Sequence, residues 1–297
     1  MTSVSGVPGG GTTGPDLAHG QGRHTQARPA RVRPPRVKQA ELNPPGARRA
    51  NAALPGEAAE TALFNHWAAG YASERFGQPI AVLLAGAVTA AGDLGADALR
   101  ASGADLSFGL VDDDQPVTRA AVDSHPGLDR CTLGDLRTVP LPQRSFDIVQ
   151  ATLLLERIEH AELVLDRLVG ALKPGGLLCL QVRDRDCAAG FLDRVLPGGV
   201  RRMIWRRHRP GRPGPHPAVY ERVTSVRGIQ SYALMRGLVV AGHQPLGGLA
   251  GGLRPAPRGY LAAQKLVAAA SRGRLTAAHE ELLYVMRKPE NRFARIL

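Results

Sequence analysis

The stretch SFDIVQATLLLERIEHAELVLDRLVGALKPGG, residues 145–176, decides how this chain folds. Phe146 to Ala151 is a short apolar run with a β-branched centre, the pattern of a buried strand. Val164, Leu165, Leu168, Val169 and Leu172 then recur at helical spacing and make one apolar face. Lys173 stands in the expected last turn, where a cation suits the helix dipole, and Pro174 with Gly175-Gly176 stops the helix. Leu177 to Val182 is a second apolar run. Strand, crossover helix and strand in that order imply a parallel sheet.

The same alternation continues on both sides. Glu57 to Phe76 reads as a helix with Ala62, Leu63, Phe64, Trp67, Ala68 and Tyr71 on one stripe, ended by Gly77-Gln78-Pro79. Strands are expected at Ile80–Leu84, Leu106–Val111, Leu128–Leu133, Leu238–Ala241 and Glu281–Met286. Helices are expected at Asp93–Gly103, Thr118–Val122, Ile229–Leu238 and Tyr260–Ala270.

Three segments in order, VPLPQRSFDIV (139–149), LLERI (154–158) and LKPGGLL (172–178), resemble the centre of class I S-adenosylmethionine-dependent methyltransferases of the small-molecule, type 11 kind. The resemblance spans Leu63 to Pro289. It implies a three-layer α/β sandwich around a Rossmann-like, seven-stranded, mostly parallel sheet with an antiparallel edge strand. It also implies S-adenosylmethionine (SAM) as cofactor, bound at the carboxyl edge near the topological switch point.

Site residues carry over position by position. The family places an acid and then a Gly-x-Gly-x-Gly-like loop after the first strand. Here the loop is LAGAVTAAG (84–92), in which Gly86 matches the first glycine. Leu84 replaces the acid, and Val88 and Ala90 replace later glycines, putting β-carbons where backbone approaches the ligand. Asp112, ending the second strand in Asp112-Asp113-Asp114, matches the acid that accepts from both ribose hydroxyls; capping the next helix is the plain alternative, and a metal role for the three carboxylates is disfavoured. Asp135 matches the acid facing the adenine amino group, with Leu136 against the ring, and a simple turn Asp is the alternative. Gln150, Ala151 and Thr152 are expected to rim the reaction zone, Ala151 touching the cofactor. Where relatives show Leu-Glu-His, this chain has Leu155-Glu156-Arg157, so no catalytic base is assigned; His160 is a substitute or a solvated helix start. Trp67 and Tyr71 either wall the pocket or dock their helix.

Residues 1–58, rich in Gly, Pro, Thr and Arg, lack the apolar surface to offset ordering entropy and read as a disordered basic tail, either an electrostatic arm or plainly solvated. Residues 59–297 read as the methyltransferase-like domain, with 187–240 as a substrate-side insertion. The arginines of 201–212 suit an acidic ligand or a solvated flexible loop.

The net charge of +12 permits nucleic-acid contact, but arginine is spread through tails and loops. Aromatics are only 4%, so Leu, Val and Ala must build the core. The three cysteines show no metal-ligand spacing and no disulfide framework, and the start is polar without a signal-peptide core; a reducing, cytoplasmic setting is expected. No apolar run approaches the ~18 residues of a membrane span. The reading is SAM-dependent methyl transfer to a small-molecule acceptor. Its alternatives are a methyltransferase-like binding or scaffold protein without catalysis and, more weakly, nucleic-acid modification. Acceptor, base and oligomeric state are not assigned.

Overall fold

The central apolar runs become strands because each finds a neighbour that buries it, while the short strand at one margin stays largely exposed. The computed structural model describes residues 56–86, 96–123, 128–208, 217–247 and 258–290. The strands are β1 (Ile80–Ala85), β2 (Leu106–Asp112), β3 (Arg130–Leu133), β4 (Phe146–Thr152), β5 (Leu172–Arg183), β6 (Val239–Leu246) and β7 (Glu281–Arg287). Their order across the sheet is β3-β2-β1-β4-β5-β7-β6. The five on the β3 side run parallel; β7 enters antiparallel beside β5, and β6 lies antiparallel outside it. The expected fold class is the observed one.

Side chains alternate between two cores, as the two-residue strand period requires. Leu83, Ala85, Val149, Ala151, Leu178, Leu180, Leu282 and Tyr284 face one side; Val82, Leu84, Ile148, Cys179, Leu283 and Val285 face the other. The described helices are α1 (Gly56–Glu74), α2 (Ala96–Ala101), α3 (Pro116–Asp123), α4 (Ala161–Ala171), α5 (Ala188–Val195), α6 (Gly198–His208), α7 (Val226–Met235) and α8 (Arg258–Ala270). Helices α4 and α7 cover the first face with Val164, Leu165, Leu168, Ile229 and Tyr232, while α1 and α2 cover the second with Phe64, Ala68, Tyr71 and Leu99. Three layers result.

Asp147 ties that second face together. Its buried carboxylate accepts from the Tyr71 hydroxyl at 3.0 Å, the Ala81 backbone N–H at 3.0 Å and Lys173 Nζ at 2.6 Å. Tyr71 therefore docks its helix on the sheet. Trp67 does the same, since a Cβ placed on Gly242 of β6 would stand 2.8 Å from its indole nitrogen.

Two expectations need correction. Lys173 is not in a helical turn: α4 stops at Ala171, and Lys173 to Gly176 already belong to β5. The residue before a proline is pushed out of the α region, so the helix ends earlier than the glycines suggest. Gly175, at φ +82°, makes the bend that lets its N–H reach Lys288 O at 2.8 Å. The first part of the 201–212 patch, for which a flexible loop was one reading, lies in α6, with Trp205 buried. The readings on residues 1–55, on Val88 and Ala90, and on that patch's arginines beyond residue 208 lie outside the described residues. Among the described residues no helix is long and apolar enough to cross a membrane.

Candidate functional site

The chain leaves β1 toward β2 on one side and returns through β4 on the other, so the carboxyl ends of β1 and β4 flank the switch point where such sheets open a crevice. Gly86 follows β1 there with φ +73°, and its N–H donates to Val111 O at 3.1 Å. A Cβ at Gly86 would lie 2.9 Å from Leu154 Cβ and 3.0 Å from Thr152 O. Glycine is thus required by the close approach of the chain's own turn after β4 as well as by its backbone angle. That turn starts at Leu153, which holds φ +49°, a costly setting for a leucine.

Asp112 ends β2 beside this crevice and is 2% exposed. Its Oδ1 accepts from the Asp113 N–H at 2.7 Å and from Arg157 Nη2 at 2.5 Å. The other arm of the guanidinium, Nη1, donates to Asp113 Oδ2 at 3.0 Å. Burial pushes the Asp113 carboxyl above its ordinary range, and Arg157 works against that rise. Arg157 is itself buried, with no hydrogen-bond partner for Nε. It comes from the short 3-10 turn Leu155–Arg157 after β4 and reaches the tip of β2 across the end of β1.

The other expected contacts disperse. Asp135 is exposed, and its carboxylate is held by Arg137 Nε at 2.9 Å, which keeps it below the usual carboxylate range. Leu136 is 2% exposed and packs in the core rather than presenting a face to a ligand. Ala151 lies in the same core on β4, paired with Leu180. Gln150 lines a small enclosed space with Phe64, Val82, Leu84 and Phe108 on the α1 face. His160 starts α4 in the left-handed region, and the Glu221 carboxylate caps the helix by accepting from the N–H groups of His160 at 2.6 Å and Ala161 at 2.9 Å.

A second polar centre lies at the end of β5, under α5, α6 and α8. Arg183 is fully buried, with Nε 2.9 Å from Asp193 Oδ2, Nη2 3.6 Å from Glu280 and Nη1 4.0 Å from Glu281. Its guanidinium lies 4.9 Å from the Trp205 ring centre. None of its three nitrogens makes an aligned hydrogen bond, so the pairing is chiefly charge on charge. Burial alone would pull the Arg183 pKa down, but Asp193 and the surrounding groups outweigh it and hold the guanidinium charged. Tyr220 donates to Asp193 Oδ2 at 2.7 Å, and Gln264 Nε2 donates to Glu280 at 2.6 Å.

Between the two centres stands Glu156. Both carboxyl oxygens are buried without a hydrogen-bond partner, and burial, eased by the fields of Arg183 and Arg157, pushes its pKa to about 8. The folded chain therefore keeps a proton that the unfolded chain releases near 4.5. Folding binds more protons than unfolding between these values, so stability is greatest below the lower and falls as pH rises through the upper. The fall is on the order of 5 kcal/mol at most. Glu156→Gln should flatten this slope and raise the urea midpoint at pH 8 above that of the unsubstituted chain. Parallel pH profiles for the two proteins would remove Glu156 from the account.

Arg157, Glu156 and Arg183 were not identified as a group by sequence reasoning. The one available pointer was Arg157 itself, standing where relatives show histidine. Among the described residues no three His, Cys, Asp or Glu side chains gather as a metal site.

Residues 85–180 match the family described as methyltransferase domain. No curated protein matches the chain. Among solved structures, an S-adenosylmethionine-dependent methyltransferase from Mesorhizobium loti is 15% identical, covering 71% of this chain and 91% of that one at a TM-score of 0.42. Loganic acid methyltransferase with SAH is 10% identical, covering 79% and 93% at 0.49. Phosphoethanolamine N-methyltransferase 2 of Haemonchus contortus is 14% identical, covering 75% and 52% at 0.43.

The residues fit the adenosine part of that family's cofactor in kind: a carboxylate at the tip of β2 for the ribose and a left-handed glycine after β1. What stands against the carboxylate here is Arg157. The methyltransferase domain match covers residues 85–180, from the end of β1 into β5, on a sheet of this strand order.

Proposed function

We propose that this chain transfers a methyl group from SAM to a small-molecule acceptor. The observation that carries the reading is Asp112, a buried carboxylate at the tip of β2 next to the switch point, where a ribose diol is bound by acceptor oxygens. SAM supplies an activated methyl group. The chain supplies position and exclusion of water, which is where most of the rate of such a displacement arises. In this reading 59–297 acts as one domain. Residues 187–240 build the acceptor side, roofing the end of β5 with α5 and α6. The roof supports a small acceptor over a polymer, because Trp205, Tyr220 and Tyr260 close over Arg183 from within. A reducing, cytoplasmic setting belongs to the same proposal, supported by three cysteines that are all unpaired.

Calorimetric titration with S-adenosylhomocysteine tests the cofactor seat. The unsubstituted chain should bind, and Asp112→Asn should weaken binding by about tenfold or more, the scale of hydrogen bonds to a charged group. Equal affinity would discard Asp112 as the ribose contact, and absence of heat in both would favour the binding-protein alternative. Labelled SAM offered with small-molecule, RNA and protein fractions tests the acceptor. Label is expected in the small molecules. Label in RNA would instead give a role to the exposed arginines 202, 206 and 207 of α6.

A further inference from the structure

The crevice at the switch point is filled from within, and this has a functional meaning. Leu154 lies against Gly86, Arg157 clamps Asp112 and Asp113, and the turn carrying both starts at a leucine in the left-handed region. We propose that the Leu153–Arg157 turn is a latch on the cofactor seat, with Arg157 as the residue that sets how tightly the chain takes an adenosine ligand. The inference rests on the reading of Asp112 as the ribose contact.

The geometry makes the two occupants exclusive. Asp112 Oδ1 already accepts two donors, and the Arg157 and Asp112 side chains are each only 3% exposed, so a ribose hydroxyl reaching for this oxygen competes with the guanidinium. A ligand that takes this oxygen must displace Arg157, and its apparent affinity is reduced by the fraction of time the latch stays shut. The second anchor, Asp113, is weaker: its side chain is 30% exposed and its carboxyl is pushed toward neutrality by burial. Arg157 is a positioning residue by this account, because it acts on the seat and not on the methyl group.

The test is equilibrium titration of S-adenosylhomocysteine into three full-length proteins: unsubstituted, Arg157→Ala and Asp113→Ala. Arg157→Ala should bind at least about tenfold more tightly, since the cost of opening is gone. Asp113→Ala removes one anchor at a half-open position, leaves Asp112 intact, and should tighten binding a few-fold. It also decides the matter if Arg157→Ala fails to fold. In the unsubstituted protein, the ligand should raise amide exchange across residues 153–158 as the turn leaves the crevice. Affinity that stays level or falls in the soluble variants overturns the latch and leaves the ribose reading standing. No binding by any of the three removes the ribose reading, and the latch with it.

Discussion

Arg183→Met is expected to cost about 3–5 kcal/mol and to leave little folded protein, because it strips a buried cation from the acids gathered around it. Asp193, Glu280 and Glu281 all approach this guanidinium, and the Trp205 ring lies over it. Methionine fills the volume but leaves carboxylates in a medium that cannot solvate them. Lysine should rescue only in part, since one compact ammonium cannot face three directions at once. Pairing Arg183→Met with Asp193→Asn should recover a measurable share of the loss, as groups in one network do not add. Urea midpoints of the single and double variants are the measurement. A single variant within about 0.5 kcal/mol of the parent, the range of ordinary surface changes, would show that the network carries no weight.

Gly228→Ala should be nearly as damaging for a steric reason. The Ser225 hydroxyl caps α7 by accepting from the Gly228 N–H at 3.1 Å, which draws the first turn of α7 against the 3-10 turn Arg222–Thr224. A Cβ at 228 would overlap the Arg222 carbonyl oxygen and lie 2.6 Å from its carbon and 2.8 Å from Val223 Cα. Backbone must move, at roughly 3 kcal/mol. The movement spreads, because Glu221 caps α4 and the N–H groups of Val219 and Tyr220 both donate to Glu156 O. Gly199→Ala is the control: nothing lies within 4 Å of its added methyl, and α6 should gain slightly. Thermal unfolding of the two variants side by side should separate them clearly, and equal behaviour would contradict the close approach at Gly228.

The fold was legible because its central strands are buried on both faces and therefore read as unbroken apolar runs: Ile80–Ala85, Phe146–Thr152 and Leu177–Val182. Asp112 and Gly86 were legible as residues at strand ends. Their partners were not, since Arg157 lies 45 residues from Asp112 in sequence and nothing in the intervening chain marks the pairing. Glu156 was visible only as part of a three-residue match; its burial depends on Tyr220 and Val219, which arrive from far downstream. Helix α6 was hidden by its arginines, which obscure an apolar stripe reduced to Ile204 and Trp205. Asp135 and Leu136 show the converse limit. Motif position singled them out on the chain, yet one side chain turns to Arg137 at the surface and the other turns inward.

The β6 margin of the sheet has a consequence for how copies of this chain meet. Its register slips between Val240 and Gly242, Trp67 crowds Gly242 from one side, and Pro245 offers no donor. At the opposite margin β3 is only 4 residues long. Neither border presents a long, straight ladder of open amides, so strand-by-strand polymerisation finds no template even in a chain this poor in aromatic side chains.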